Sequence, residues 1–195
     1  AYDGAIVEAT GNTISGADKG SGFGIRDSVV IANNNVIGPI TGYNGLWIYG
    51  TSDVSAENNT IQDTGAEAVL IGEYHFGDSS WQGIPTPTAA RLYFANNQIS
   101  NNTGVCNSQL YGGEFACPAI HVFMSSATLY DNTVTNNGGD GMRIKGGIVN
   151  AQRNTIEVTG FAVNISHYDD NAGSKYGSIA YFSGNTYTNA SQVYN

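Results

Sequence analysis

Apolar residues in this chain recur in short runs with a period of two rather than in helical stripes. Between Ser28 and Thr51 (SVVIANNNVIGPITGYNGLWIYGT), three β-branched or aromatic runs, Val29 to Ala32, Val36 to Ile40 and Leu46 to Tyr49, are separated by Asn and Gly clusters. That is the composition of strands joined by tight turns. None of the three runs could bury an apolar face alone. Nearly everything else in the chain reads as a variant of this unit, so stacking is the natural solution: each run pairs with its equivalent one repeat away, and the inward side chains form one continuous column.

Two recurring elements give the register. An Asn followed by any residue and then an apolar one occurs at Asn12, Asn34, Asn59, Asn97, Asn132, Asn154 and Asn185, at successive spacings of 22, 25, 38, 35, 22 and 31. The basic turn is therefore about 22 residues, and the excess is loop. Asn suits this place because it tolerates left-handed backbone and because its amide can bond to the amides above and below when coils stack about 4.8 Å apart. These seven are expected to form a structural ladder. The second element is a Gly-rich turn followed by apolar-x-apolar: Phe23 and Ile25, Leu46 and Ile48, Val69 and Ile71, Ile120 and Val122, Met142 and Ile144, Val163 and Ile165. Period two points these inward. Their alternates then face out in two columns, Gly24, Trp47, Leu70, His121, Arg143, Asn164 and Arg26, Tyr49, Gly72, Phe123, Lys145, Ser166.

Extra residues fall beside that strand in three places: after Ile71, in the stretch from Cys106 to Cys117, and after Ile165. Loops carried on a rigid scaffold are where function concentrates. They are expected to wall a groove floored by Trp47, Tyr49, His121, Phe123, Arg143 and Lys145.

Composition narrows this picture. A chain of 195 residues with 41% hydrophobic residues supports one core, hence one domain over residues 1–195. With 26 Gly, 12 Tyr and 12% charged residues, helix is expected to be scarce. The formal net charge of −9 argues against nucleic acid, whose phosphates need Lys and Arg. No run approaches the length of a membrane-spanning helix, so no membrane insertion is expected. Cys106 and Cys117 lie 11 positions apart in a Gly-rich stretch and are expected to form a disulfide, worth about 2–3 kcal/mol by loop entropy and implying an oxidising compartment. The Asn-x-Ser/Thr sequons at Asn58, Asn101, Asn164 and Asn189 arise readily in an Asn- and Thr-rich repeat. With no amphipathic helix to cover the first coil, the chain reads as a segment of a longer one, and self-association through coil ends is a further expectation.

Taken together, the Asn-x-apolar and Gly-apolar-x-Ile patterns resemble those of the pectin-lyase-like, right-handed parallel β-helix repeat proteins, over essentially the whole chain. The resemblance implies an all-β, single-stranded right-handed parallel β-helix of about seven coils with three inserted loops. It does not choose among lyases, polygalacturonases, epimerases, tailspikes and adhesins. Within it, Arg143-Ile144-Lys145 in GMRIKGG resembles the Arg-Ile-Lys element with which polygalacturonases hold a uronate carboxylate, with His121 one coil earlier. A guanidinium and an ammonium two residues apart on a strand can clamp an acidic sugar. The catalytic acids of that family do not carry over, since Leu70 and Gly72 occupy the preceding strand, and hydrolysis without two carboxylates lacks its acid and its base or nucleophile.

A lyase or C5-epimerase needs less. His121, Arg143 and Lys145, with a Tyr such as Tyr49, Tyr74 or Tyr168, could neutralise a uronate carboxylate and move the C5 proton. A binding module would use the same face without an acid or base, stacking sugars on Trp47, Tyr49, Trp81 and Phe123 and bonding hydroxyls through Asn164, Ser166 and Tyr168. Asp169 and Asp170, with Asp78 or Glu73, offer weak oxygen ligation for calcium, and His75, His121 and His167 lack zinc spacing, so no cofactor is expected. The leading expectation is a secreted or cell-surface structural or adhesive β-helix that binds a glycan, with a uronate-polysaccharide lyase or epimerase as the alternative.

Overall fold

The computed structural model describes residues 1–72, 90–102, 117–169, 175–190 and 192–194. Among these described residues, the chain winds repeatedly through three parallel sheets of seven strands each. The first sheet takes Ile6–Thr10, Val29–Asn33, Asp53–Glu57, Arg91–Ala95, Ser126–Tyr130, Ile148–Gln152 and Ile179–Ser183. Next along each coil comes the second sheet, built from Thr13–Ile14, Val36–Ile37, Thr60–Gln62, Gln98–Ser100, Thr133–Asn137, Thr155–Val158 and Thr186–Thr188. The third takes Phe23–Arg26, Leu46–Tyr49, Val69–Ile71, Ile120–Phe123, Met142–Lys145, Phe161–Ser166 and Gln192–Tyr194. The three runs read in Ser28 to Thr51 are one strand of each sheet.

Every second residue of these strands points to the axis, where Ile25, Ile48, Ile71, Val122 and Ile144 stack with no exposed surface. Burying each such side chain contributes about 1.5–3 kcal/mol, and because each coil meets its neighbours, the contribution recurs along the axis.

The asparagine ladder exists, with one member displaced from its expected place. Side chains of Asn12, Asn35, Asn59, Asn97, Asn132, Asn154 and Asn185 form the chain of amides: each Nδ2 donates to the next Oδ1 at 2.9–3.1 Å, across separations of 23, 24, 38, 35, 22 and 31 residues. Each backbone N–H donates to that same oxygen at 2.8–3.0 Å. Asn34 is not in this column. It sits in the turn before the ladder position with φ of 57°, as Asn58, Asn96, Asp131 and Arg153 do in later coils. The tolerance of Asn for left-handed backbone therefore belongs to the residue preceding the ladder, and the amide stacking to the ladder itself. In NNNV both residues match the Asn-x-apolar pattern, and the pairing of Ile14 with Ile37 selects Asn35.

Of the three expected inserts, residues 73–89 and 103–116 lie outside the described residues. The third includes a two-stranded antiparallel hairpin, Tyr168–Asp169 with Lys175–Tyr176.

Candidate functional site

The outward face of the third sheet carries the expected columns. Strand pairing aligns Gly24 with Trp47, Trp47 with Leu70, Leu70 with His121, His121 with Arg143 and Arg143 with Asn164. Two residues further on, Arg26 aligns with Tyr49, and Phe123 with Lys145 and Ser166. Residues from six separate strands thus lie side by side, each one coil from the next.

At the first end, the rings of Trp47 and Tyr49 stack on each other, centroids 4.6 Å apart. Both are half-buried, and Leu70, buried, separates Trp47 from His121. At the other end the hairpin folds its tyrosines over the sheet. Tyr168 meets Phe123 edge to face at 4.9 Å, its ring lies 6.1 Å from Tyr176, and the Lys145 ammonium stands 5.6 Å over it. Phe123 is only 3% exposed and packs beneath Tyr168, whose half-buried ring is the outer aromatic at this end.

Between the ends, two carboxylates invisible to the sequence reading organise the polar residues. Glu67 and His121 are 1% and 4% exposed, and Nδ1 lies 3.2 Å from Oε1. The other carboxylate oxygen, Oε2, accepts from Asn44 Nδ2 at 2.9 Å. One coil beyond His121, Asp140 is buried and satisfied threefold: Oδ1 accepts from the Phe161 backbone N–H at 3.1 Å, and Oδ2 accepts from Arg143 Nη2 at 2.8 Å and from Asn164 Nδ2 at 3.3 Å. Buried charges persist where they are paired and hydrogen-bonded, as both are here. Their effect is orientation. The Glu67 carboxylate holds the Nδ1 edge of the imidazole in place, and Asp140 fixes the plane of the guanidinium.

A signal for these carboxylates was present in the sequence. Asn44, Glu67 and Asp140 each stand two residues before the first inward residue of a third-sheet strand, Leu46, Val69 and Met142. The signal is partial, since Pro118 and Phe161 stand at the same offset before Ile120 and Val163.

Arg143, Lys145, Asn164, Ser166 and Tyr168 are therefore brought together on one half-buried surface, with His121 buried beside them. Trp81, Glu73, Tyr74, His75, Asp78, Asp170 and Cys106 fall outside the described residues. Cys117 is buried and is not a free thiol. Among the described residues, no group of three or more His, Cys, Asp or Glu side chains is placed to hold a metal ion.

Comparison with known proteins bears on the whole chain. The family described as "Right handed beta helix region" matches residues 1–193. No curated protein matches the chain.

Proposed function

The chain belongs to the right-handed β-helix family, and from that premise we propose that it is a secreted or cell-surface binding protein whose third-sheet face takes an acidic, uronate-type polysaccharide. One observation carries the reading: Arg143 and Lys145 project from the same side of one strand, the guanidinium oriented by buried Asp140 and the ammonium by the ring of Tyr168. A planar fork and a point charge at that spacing suit a carboxylate with flanking hydroxyls, and Asn164 and Ser166 one coil on supply amide and hydroxyl partners. Although the protein is acidic overall, long-range repulsion is screened beyond about 8–10 Å at physiological salt, so the local cations decide.

The test is affinity electrophoresis through gels containing polygalacturonate or alginate. Retardation of the native chain, lost in Arg143→Ala and Lys145→Ala and weakening with salt, supports the reading. Free migration through a broad panel of acidic glycans removes it.

A lyase or C5-epimerase is the second reading, favoured by the Glu67–His121 pair, in which a buried carboxylate orients the imidazole that would take the C5 proton while Arg143 and Lys145 neutralise the uronate carboxylate. It ranks second because the His121 ring is 4% exposed, and the sugar must reach it. New absorbance from unsaturated ends, or epimerisation followed by proton NMR, abolished in His121→Ala, would establish it. A Cys106–Cys117 bridge belongs to the same extracellular proposal, and intact mass under non-reducing conditions, two hydrogens lighter than the reduced chain, checks it.

A further inference from the structure

The first sheet carries a second set of outward side chains that the third-sheet site does not use. Strand pairing aligns Tyr93 with Thr128, Thr128 with Asn150 and Asn150 with Tyr181, one residue per coil. Tyr93 is 42% exposed and Tyr181 66%. At about 4.8 Å per coil the two tyrosines stand about 14 Å apart along the axis, with a hydroxyl and an amide between them. The ring of Tyr130 lies 6.3 Å from that of Tyr93, on the flank of this column. A depression of about 220 Å³ opens beside Tyr93, lined in part by Ser126 and Thr128 and by the Arg91–Asp53 pair.

The charges of this surface cancel locally. Arg91 Nη2 donates to Asp53 at 2.7 Å, and Arg153, whose guanidinium lies 5.2 Å over Tyr130, donates to both oxygens of Asp131 at 2.8 and 2.6 Å. From Arg91 onward, the outward strand positions of this sheet hold no carboxylate of their own, on a protein of net charge −9. Exposed rings at either end, fixed polar groups between them and matched charges at the side describe a receptor for something long, flat and uncharged. Sugar rings fit: their C–H faces stack on aromatics and their edge hydroxyls bond to hydroxyl, amide and Arg–Asp groups. A straight parallel ladder favours an extended chain over a coiled one.

We propose that this half of the first sheet is a second binding platform, for an extended chain of neutral pyranose sugars. It is independent of the acidic-glycan reading of the third sheet.

The experiment is affinity electrophoresis in soluble xylan, glucomannan and mixed-linkage glucan, with pull-down on cellulose and chitin. At least one neutral polysaccharide should retain the native chain. Tyr93→Ala and Tyr181→Ala should each weaken retention roughly fivefold to tenfold, the loss of one stacking contact, and Tyr93→Phe should keep it. Far-UV circular dichroism and the urea midpoint establish that the variants are folded. Excess polygalacturonate should leave neutral-glycan binding in place. Full competition by polygalacturonate, no binding across the neutral panel, or binding indifferent to both tyrosines overturns the proposal. So does a concentration-dependent dimer that is lost in Tyr181→Ala without any glycan binding, which would give this face to a second copy of the chain.

Discussion

Glu67 and His121, 54 residues apart in sequence, meet as a buried pair with Oε1 3.2 Å from Nδ1. Glu67 also serves Asn44, so a single carboxylate ties together side chains from three separate stretches of the chain. Removing it strands two donors in the interior. Glu67→Ala is expected to cost about 2–4 kcal/mol in urea unfolding, and Glu67→Gln, which keeps one acceptor oxygen, distinctly less. Equal effects of the two substitutions would mean that the pair contributes through packing alone.

The ladder makes a sharper prediction, because adjacent asparagines in one tripeptide have different jobs. Asn35→Ala breaks bonds to both neighbouring rungs in a 1% exposed site and should destabilise by about 2–3 kcal/mol. Asn34→Gly should be close to neutral, since that position needs left-handed backbone, which Gly adopts freely. Denaturation midpoints of the two variants side by side decide the assignment.

Gly72 has φ of 118°, and a Cβ added there would collide with the carbonyl oxygen of Phe123 in the next coil. Backbone cannot move aside as the tip of a side chain can. Gly72→Ala is expected to lose more than about 3 kcal/mol or fail to fold, whereas Gly20→Ala, where a Cβ meets nothing within 4 Å, should stay within about 1 kcal/mol of the native chain.

On the surface, two hydrogen bonds from Arg153 hold the Asp131 carboxyl below its ordinary value of 3.8. A carboxyl that is more acidic in the folded state contributes stability above its unfolded pKa and loses it as pH falls through the folded one. The stability difference between the native chain and Asp131→Asn should therefore be constant near neutrality and should shrink below about pH 4. High salt should reduce it at neutral pH, as befits an exposed pair.

The scaffold was legible because its two periods are carried by many residues at once. Apolar alternation in LWIY, VLI, IHVF and MRIK placed the third-sheet strands and both outward columns, and the strand pairing agrees with that register. The displaced rung shows where such reading is weakest: in NNNV two candidates satisfy one local pattern, and only pairing with a distant coil separates them. Glu67 and Asp140 were missed for a related reason. Each looks like an ordinary turn residue, and its burial follows from side chains of other coils closing over it. The burial of Phe123 likewise depends on a hairpin more than 40 residues downstream, whose fold-back no local pattern announces.

An amide column that accepts whole turns of 22, 24 or 38 residues between rungs also acts as a length filter on the gene. Recombination that excises the segment from one rung to the next leaves the remaining amides able to clasp one another, so the rod shortens and survives. Loss of a single codon within a strand has the opposite fate, because it turns every later side chain of that strand inside out. Such a rod should vary among its descendants by entire windings, with its outward sheet faces lengthened or trimmed in proportion.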